Sequence, residues 1–281
     1  MNVNLNKAKK RASLNGDGRI STENSEPFFK GSLVEICTLS YAAYSFSEKH
    51  ALKHELMPFF SETRLGKIGC LMLNPQDSSL SEKHISALEQ SAAAELAICA
   101  AMKNSGRPFA PSDYAYKESG QPTIQNGHIS ISHTEGYAAC AIAREPVGID
   151  VERGHTFSKA AAKRILSPQE ELMSDSTNAD ELLSRIWTVK ESFLKMTGEG
   201  IPGGMRTLEL IAAGDGSSDV WTIKRGTELE AGRAVHLSIS GGGNSADFND
   251  AYLSVCTKRK AMMHINRFES VESILEFLNE P

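Results

Sequence analysis

Three things are missing from this chain of 281 residues, and each absence narrows what it can be. No apolar run approaches the ~18 residues needed to span a bilayer, which excludes a membrane-spanning helix. There is no close pair of cysteines. The five present, Cys37, Cys70, Cys99, Cys140 and Cys256, are odd in number, scattered and set in apolar runs. Buried thiols in a reducing compartment are therefore expected, rather than a disulfide framework. There is also no excess of positive charge: 30 Lys and Arg stand against 35 Asp and Glu, a net of -5. Nothing in that balance pulls the chain toward nucleic acid. The opening MNVNLNKAKKRAS is basic but lacks the apolar centre of a signal peptide, so a cytoplasmic protein is expected.

What is present is the composition of an ordinary globular protein, long enough for one large domain or two modest ones. Residues 1–30 are polar and aperiodic and read as a flexible arm. Within them Asn15-Gly-Asp17-Gly18 imitates part of a calcium loop. Ser13 and Asn24 stand where ligands belong, so it reads as a Gly-rich turn. Strands are expected over 32–39 and 67–73, with a helix from Tyr41 toward Pro58 between them. A long helix follows from Leu80 to Lys103, with Ser81 as its N-cap and Ile85, Leu88, Ala92, Leu96 and Cys99 along one face. Residues 107–127 look like loop. A hairpin runs from His128 to Ser132, turns at 133–136 and returns over Tyr137–Ile142.

After Pro146 comes a strand, then a short helix over Ser158–Leu166. Another helix opens at Ser167-Pro168-Gln169-Glu170, with Ser as cap, Pro at the first helical position and Glu three beyond the cap. A helix from about Asp180 to Thr197 is closed by Gly198. Strands are expected at 208–211, 220–224, 234–240 and 251–257, and a C-terminal helix at 270–278. The methionines Met196, Met205, Met262 and Met263 read as core filler.

The chain echoes itself. His128-Ile-Ser-Ile-Ser132 recurs as His236-Leu-Ser-Ile-Ser240, and each copy precedes a small-residue strand ending in Cys140 or Cys256. Ile68-Gly-Cys-Leu-Met likewise echoes Val147-Gly-Ile-Asp-Val. Strand, long helix and hairpin thus occur twice. The expected fold is α+β, built as two similar α+β halves about a pseudo-twofold, residues 31–145 and 146–281. A ligand cleft is expected between the halves.

The densest chemistry lies between Val147 and Gly200. Alternation along Ile149-Asp150-Val151-Glu152 is strand spelling, so Asp150 and Glu152 point to one side. Trp187 to Lys195 is helix spelling, with Glu191 and Lys195 one turn apart on one face. If that helix packs beside that strand, three carboxylates and an ammonium converge. Three hard oxygen donors with open positions suit Mg²⁺ that also holds substrate phosphates.

Plainer readings exist for each residue. Asp150 and Glu152 could be exposed acids on an edge strand, Glu191 and Lys195 a surface pair, and His133 a hydrogen bonder in a hairpin turn. Lys190 falls inside the apolar arc of Leu182, Leu183, Ile186, Trp187, Phe193 and Leu194. A buried charge there needs a partner or a ligand, which favours the site reading.

Gly148-Ile-Asp150-Val-Glu152, a gap of about forty residues, then Trp187-Thr-Val-Lys190-Glu191-Ser-Phe-Leu-Lys195 resembles the paired signature of 4′-phosphopantetheinyl transferases. Ile131-Ser132-His133-Thr134 is similar to the Ser-His turn of the two-half, surfactin-synthetase-activating type. The resemblance implies transfer of the phosphopantetheine arm of coenzyme A to a serine of an apo acyl or peptidyl carrier protein, with release of 3′,5′-ADP. It implies that Asp150, Glu152 and Glu191 hold Mg²⁺ and that Ser132 and His133 contact the phosphates of coenzyme A. Lys195 would neutralise phosphate charge, and Glu191 would take the proton from the carrier serine. An internally doubled chain is expected to work as a monomer. The sequence departs from the pattern at Gly120-Gln121-Pro122, where many members have Gly-Lys-Pro, and in a helix from Ile85 to Met102 without Arg. Lys83, Lys103 and Arg107 are the nearby cations that could substitute. A non-catalytic module binding nucleotide or carrier is the alternative those gaps suggest. A magnesium phosphohydrolase would explain the carboxylates but not Ser132-His133.

Overall fold

The computed structural model of the protein describes residues 33–41, 81–106, 114–118, 120–154, 156–171, 179–201, 204–212, 219–239 and 251–280. The expected arm, the strand at 67–73, the helix after Tyr41, the echo at Ile68, Cys70 and Arg107 lie outside the described residues.

Two sheets carry the fold. The first has strand order β11-β1-β5-β4, where β1 is Leu33–Ser40, β4 is His128–Thr134, β5 is Tyr137–Ala143 and β11 is Met262–Phe268. The second has order β6-β10-β9-β8-β7: β6 is Val147–Arg153, β7 Leu208–Ala212, β8 Val220–Arg225, β9 Glu228–Ile239 and β10 Ala251–Thr257. A short ribbon pairs β2, Tyr114–Tyr116, with β3, Pro122–Ile124, inside the stretch expected to be loop.

Period-two alternation explains the layering. Val34 and Ile36 of β1, Tyr137, Ala139 and Ala141 of β5, and Val147, Ile149 and Val151 of β6 meet Leu253 and Val255 of β10 in one core between the sheets. The opposite faces are covered by helices. Helix α1, Glu82–Asn104, and α5, Val271–Asn279, pack on the first sheet through Leu96, Cys140 and Ile274. On the second sheet Ile186, Val189, Phe193 and Leu194 of α4, Ala179–Thr197, pack over Ala234 and Cys256. The order is helix, sheet, sheet, helix, an α+β protein as expected. The four cysteines among the described residues are all buried and free.

The internal echo has a counterpart in topology. In the first sheet β1 pairs antiparallel with β5, and β5 with β4; in the second β6 pairs with β10, and β10 with β9. A strand, a long helix and a hairpin occur in that order in both. The expected second half, 146–281, departs from this at its end. Strand β11, which the sequence reading missed, pairs in parallel with β1, and α5 packs on the first sheet. Met263 is buried there, whereas Met262 is 54% exposed and is not core filler.

Helix ends follow local rules. Ser81, Ser158 and Ser270 cap α1, α2 (Lys159–Ile165) and α5 with their hydroxyls. Ser167 and Glu170 form a reciprocal box at α3, Pro168–Glu171: Glu170 N–H donates to Ser167 Oγ and Ser167 N–H to Glu170 Oε2.

Candidate active site

The outer edge of β6 lies against β4, so the two sheets meet along it. Backbone groups on a sheet edge need partners, and Ser130 of β4 supplies one: Ile149 N–H donates to its Oγ at 3.0 Å. Two residues on, Ser132 Oγ donates to Asp150 Oδ1 at 2.9 Å. Val147, Ile149 and Val151 take one face of β6, which leaves Gly148, Asp150 and Glu152 toward α4. A Cβ on Gly148 would sit 1.8 Å from the Ser192 carbonyl oxygen. The missing side chain is what lets α4 lie directly on the strand.

That close approach brings the expected residues together. Lys195 Nζ donates to Asp150 Oδ1 at 2.7 Å and to Ser132 Oγ at 2.9 Å. Asp150 is 2% exposed and Glu191 is 7% exposed. The Glu191 carboxyl is pushed up to about 7, by burial first and then by the charge of Asp150, with Lys195 opposing and Glu152 adding to the rise. Trp187 Nε1–H donates to Glu152 Oε1 at 3.4 Å, so the third acid is held beside the same helix.

His133 goes elsewhere. Strand β4 continues through Thr134, so His133 lies in the strand and not in the turn, on the face opposite Ser132. It is exposed, with Nδ1 3.1 Å from Gln90 Oε1 of α1. The structure does not bring it to the carboxylates.

Lys190 has a structural partner rather than a ligand. Fully buried, it donates to Glu170 Oε2 at 2.5 Å and to the Ile165 carbonyl at 2.8 Å. Burial pushes its ammonium pKa down and Glu170 resists that. Glu170 also accepts from Leu210 N–H at 3.0 Å, so one carboxylate ties α3, α4 and β7 together. Removing one member of a buried pair leaves an uncompensated charge. Glu170→Gln is expected to cost roughly 3–5 kcal/mol in urea unfolding. The double variant Lys190→Met/Glu170→Gln should be more stable than Glu170→Gln alone; equal stability would contradict the pairing.

The substitute cations divide. Lys103 donates to the carbonyls of Phe277 and Glu280 at 2.7 and 2.6 Å, and so caps α5. Lys83 stands exposed in the first turn of α1. Gln121 donates to the Lys195 carbonyl at 3.3 Å and accepts from Lys117 Nζ at 2.8 Å, at the C-terminus of α4.

Residues 146–256 match the model of the 4′-phosphopantetheinyl transferase superfamily. The matched stretch contains β6, which carries Asp150 and Glu152, and α4, which carries Glu191 and Lys195. Over that stretch the chain is similar to the members of that superfamily. Among curated relatives it is 34% identical over 83 residues to 4′-phosphopantetheinyl transferase Sfp of Bacillus subtilis (strain 168), spanning 28% of this chain and 37% of that one. To 4′-phosphopantetheinyl transferase psf-1 of Bacillus pumilus it is 28% identical over 167 residues, spanning 57% of this chain and 66% of that one. The chain thus matches less than two thirds of either relative's length. The crystal structure of Thermotoga maritima holo-acyl-carrier-protein synthase matches with a TM-score of 0.30 and 23% identity, over 41% of this chain and 64% of that one. A likeness that loose does not bear on the site.

Could the site hold a metal ion? Asp150 Oδ2 and Glu191 Oε1 are buried and have no hydrogen-bond partner among the described residues. Unpaired carboxylate oxygens held out of water are costly unless a cation or proton meets them. Among the described residues no three acids, His or Cys are already drawn together as a cage. Lys195 supplies the positive charge on Asp150 instead. The donor set fits a hard divalent ion that takes part of its coordination from phosphate oxygens. Other features the sequence reading passed over are Thr188, His236 and Ser254, all fully buried, with Ser254 directly opposite Asp150 and His236 one strand further on. Among the described residues, no helix is long and apolar enough to cross a membrane.

Proposed function

We propose that the protein transfers the 4′-phosphopantetheine arm of coenzyme A to a serine of an apo acyl or peptidyl carrier protein and releases 3′,5′-ADP. The observation that carries this reading is the convergence of Asp150, Glu191, Lys195 and Ser132 at the seam of the two sheets, with two buried carboxylate oxygens left unpaired. Asp150 Oδ2, Glu191 Oε1 and Glu152 would hold Mg²⁺, which when bound neutralises pyrophosphate charge.

The chain's own residues account for the rest. The carrier serine oxygen forms a bond to the β-phosphorus of coenzyme A, and the bond from that phosphorus to the bridging oxygen breaks. The electron pair leaves with 3′,5′-ADP. Such transfers depend on positioning and charge neutralisation more than on covalent chemistry by the enzyme. Lys195, 31% exposed and already donating to Ser132, is placed to pair with a phosphate oxygen. A carboxylate that also holds a metal ion is a poor direct base, so a bound water carries the proton from the serine to Glu191. His133, toward α1, would meet a phosphate of coenzyme A only from the far face of β4. Cytoplasmic location and a monomeric state belong to the same proposal.

Incubation with Mg²⁺, coenzyme A and apo carrier protein is expected to add one phosphopantetheine mass to the carrier, and chelation should stop it. No addition across fatty-acid, polyketide and nonribosomal-peptide carriers would overturn the proposal. Carrier binding that persists in such an inactive protein would instead favour the non-catalytic module.

A further inference from the structure

Asp150 of β6, Ser254 of β10 and His236 of β9 stand directly opposite one another across the second sheet. Residues so paired share a face, and Asp150 fixes this one as the face under α4. Ser254 Oγ donates to Thr188 Oγ1 of α4 at 2.9 Å, and Thr188 Oγ1 donates to the Arg185 carbonyl at 3.0 Å. A serine hydroxyl has one proton, and that proton is committed to Thr188. His236 Nδ1, 3.0 Å from Ser254 Oγ, is therefore the donor, which sets the ring's tautomer. His236, Ser254 and Thr188 are all fully buried. Burial, and after it the charge of Arg185, push the His236 pKa down to about 3, so the ring stays neutral and the chain keeps its polarity.

The first sheet makes an instructive contrast. Its row facing α1, Cys37, Cys140 and Ile131, is apolar and meets the helix by packing, while the hydrogen bonds of α1 to that sheet lie elsewhere, at Gln90 and Asn104. Packing would equally hold α4, and burying three polar side chains is costly unless each is hydrogen-bonded. A hydrogen bond differs from apolar contact in being directional: it fixes where along the strand the helix sits. Thr188 lies three residues before Glu191, on the same side of α4, and Ser254 lies beside Asp150. The pinned point is thus one turn along the helix from one acid and one strand across from the other.

We infer that His236 and Ser254 are positioning residues, which hold α4 through Thr188 in the register that brings Glu191 and Lys195 to Asp150. The inference rests on the proposed metal-and-acid role of Asp150 and Glu191. Its test therefore reads metal binding without coenzyme A or carrier, as well as turnover. Full-length His236→Leu, His236→Asn and Ser254→Ala are compared with the parent for Mn²⁺ affinity by calorimetry, for kcat and KM with coenzyme A, and for thermal midpoint.

His236→Leu and Ser254→Ala should each lower Mn²⁺ affinity and kcat about 10-fold or more, as loss of groups that orient metal ligands does, with KM for coenzyme A changed less than about twofold. His236→Asn, whose amide nitrogen can take the place of Nδ1, should recover most of both. Should His236→Leu not fold, Thr188→Val cuts the same chain at the helix and is read in its place. Parental Mn²⁺ affinity and kcat in the cut variants, or equal losses in the Leu and Asn variants that simply follow the thermal midpoint, would overturn the inference. A parent that binds Mn²⁺ without transferring phosphopantetheine refutes the proposed function but leaves the positioning role supported or refuted by affinity. A parent that does neither refutes both.

Discussion

Glu191→Gln is expected to lower phosphopantetheine transfer by about 100-fold to 10,000-fold, the range for removing a positioned proton acceptor. It should at the same time make the metal-free protein more stable above neutral pH. The second effect follows from the sign of the shift. In the folded chain the carboxyl is raised from 4.5 to about 7, chiefly by burial, so folding favours its neutral form. Below pH 4.5 the group is protonated whether the chain is folded or not, and it costs nothing. Between 4.5 and about 7 the unfolded chain loses its proton first and stability falls. Above about 7 the loss levels off, at a value on the order of 3 kcal/mol for a shift of this size. Glutamine is neutral throughout, so the decline should flatten. Urea unfolding at pH 5 and pH 8 in chelator would read it. A variant with the parental pH dependence would show that Glu191 is not strained, and one with turnover within tenfold of the parent would show that it is not catalytic. Because a divalent ion needs the charged carboxylate, its binding should release a proton and weaken as pH falls below 7.

Gly148→Ala is expected to cost at least about 4 kcal/mol, among the largest effects a single methyl can have. The added Cβ would lie 1.8 Å from the Ser192 carbonyl oxygen and 2.6 Å from the Met196 amide nitrogen. Both are backbone atoms of α4 and cannot rotate aside, so the helix must leave the strand. A thermal midpoint lower by roughly 10 °C follows for a chain of this size. Since Asp150 is two residues away and Glu191 precedes Ser192, any folded fraction should bind Mn²⁺ poorly. A variant with parental midpoint and affinity would show that α4 does not bear on β6 as described.

Much of this was readable in the chain. The alternation through Asp150 and Glu152, the one-turn spacing of Glu191 and Lys195, and the serine caps of α1 and α3 are rules of nearest neighbours. They hold whatever the rest of the molecule does. His133 shows how little it takes to lose such a reading. Moving the end of β4 by two residues put it in the strand, where the period of two sends it away from Ser132. A charge at Lys190, inside the apolar arc, needs a partner or a ligand; the structure supplies a partner outside the site, so Lys190 does not favour the site reading. That Glu170, already a helix cap, would be the partner could not be read from a separation of 20 residues.

What the sequence determined by itself was therefore local: which residues form strands and helices, which side of each is polar, and a paired motif whose spacing matches one family. Only the tertiary structure decided that β11 returns to pair with β1, that Ser132 reaches across two sheets to Asp150, and that Asp150, Ser254 and His236 stand in one row. Those facts depend on the register between strands far apart in sequence. Register is set by the summed fit of whole faces, not by any short stretch of chain.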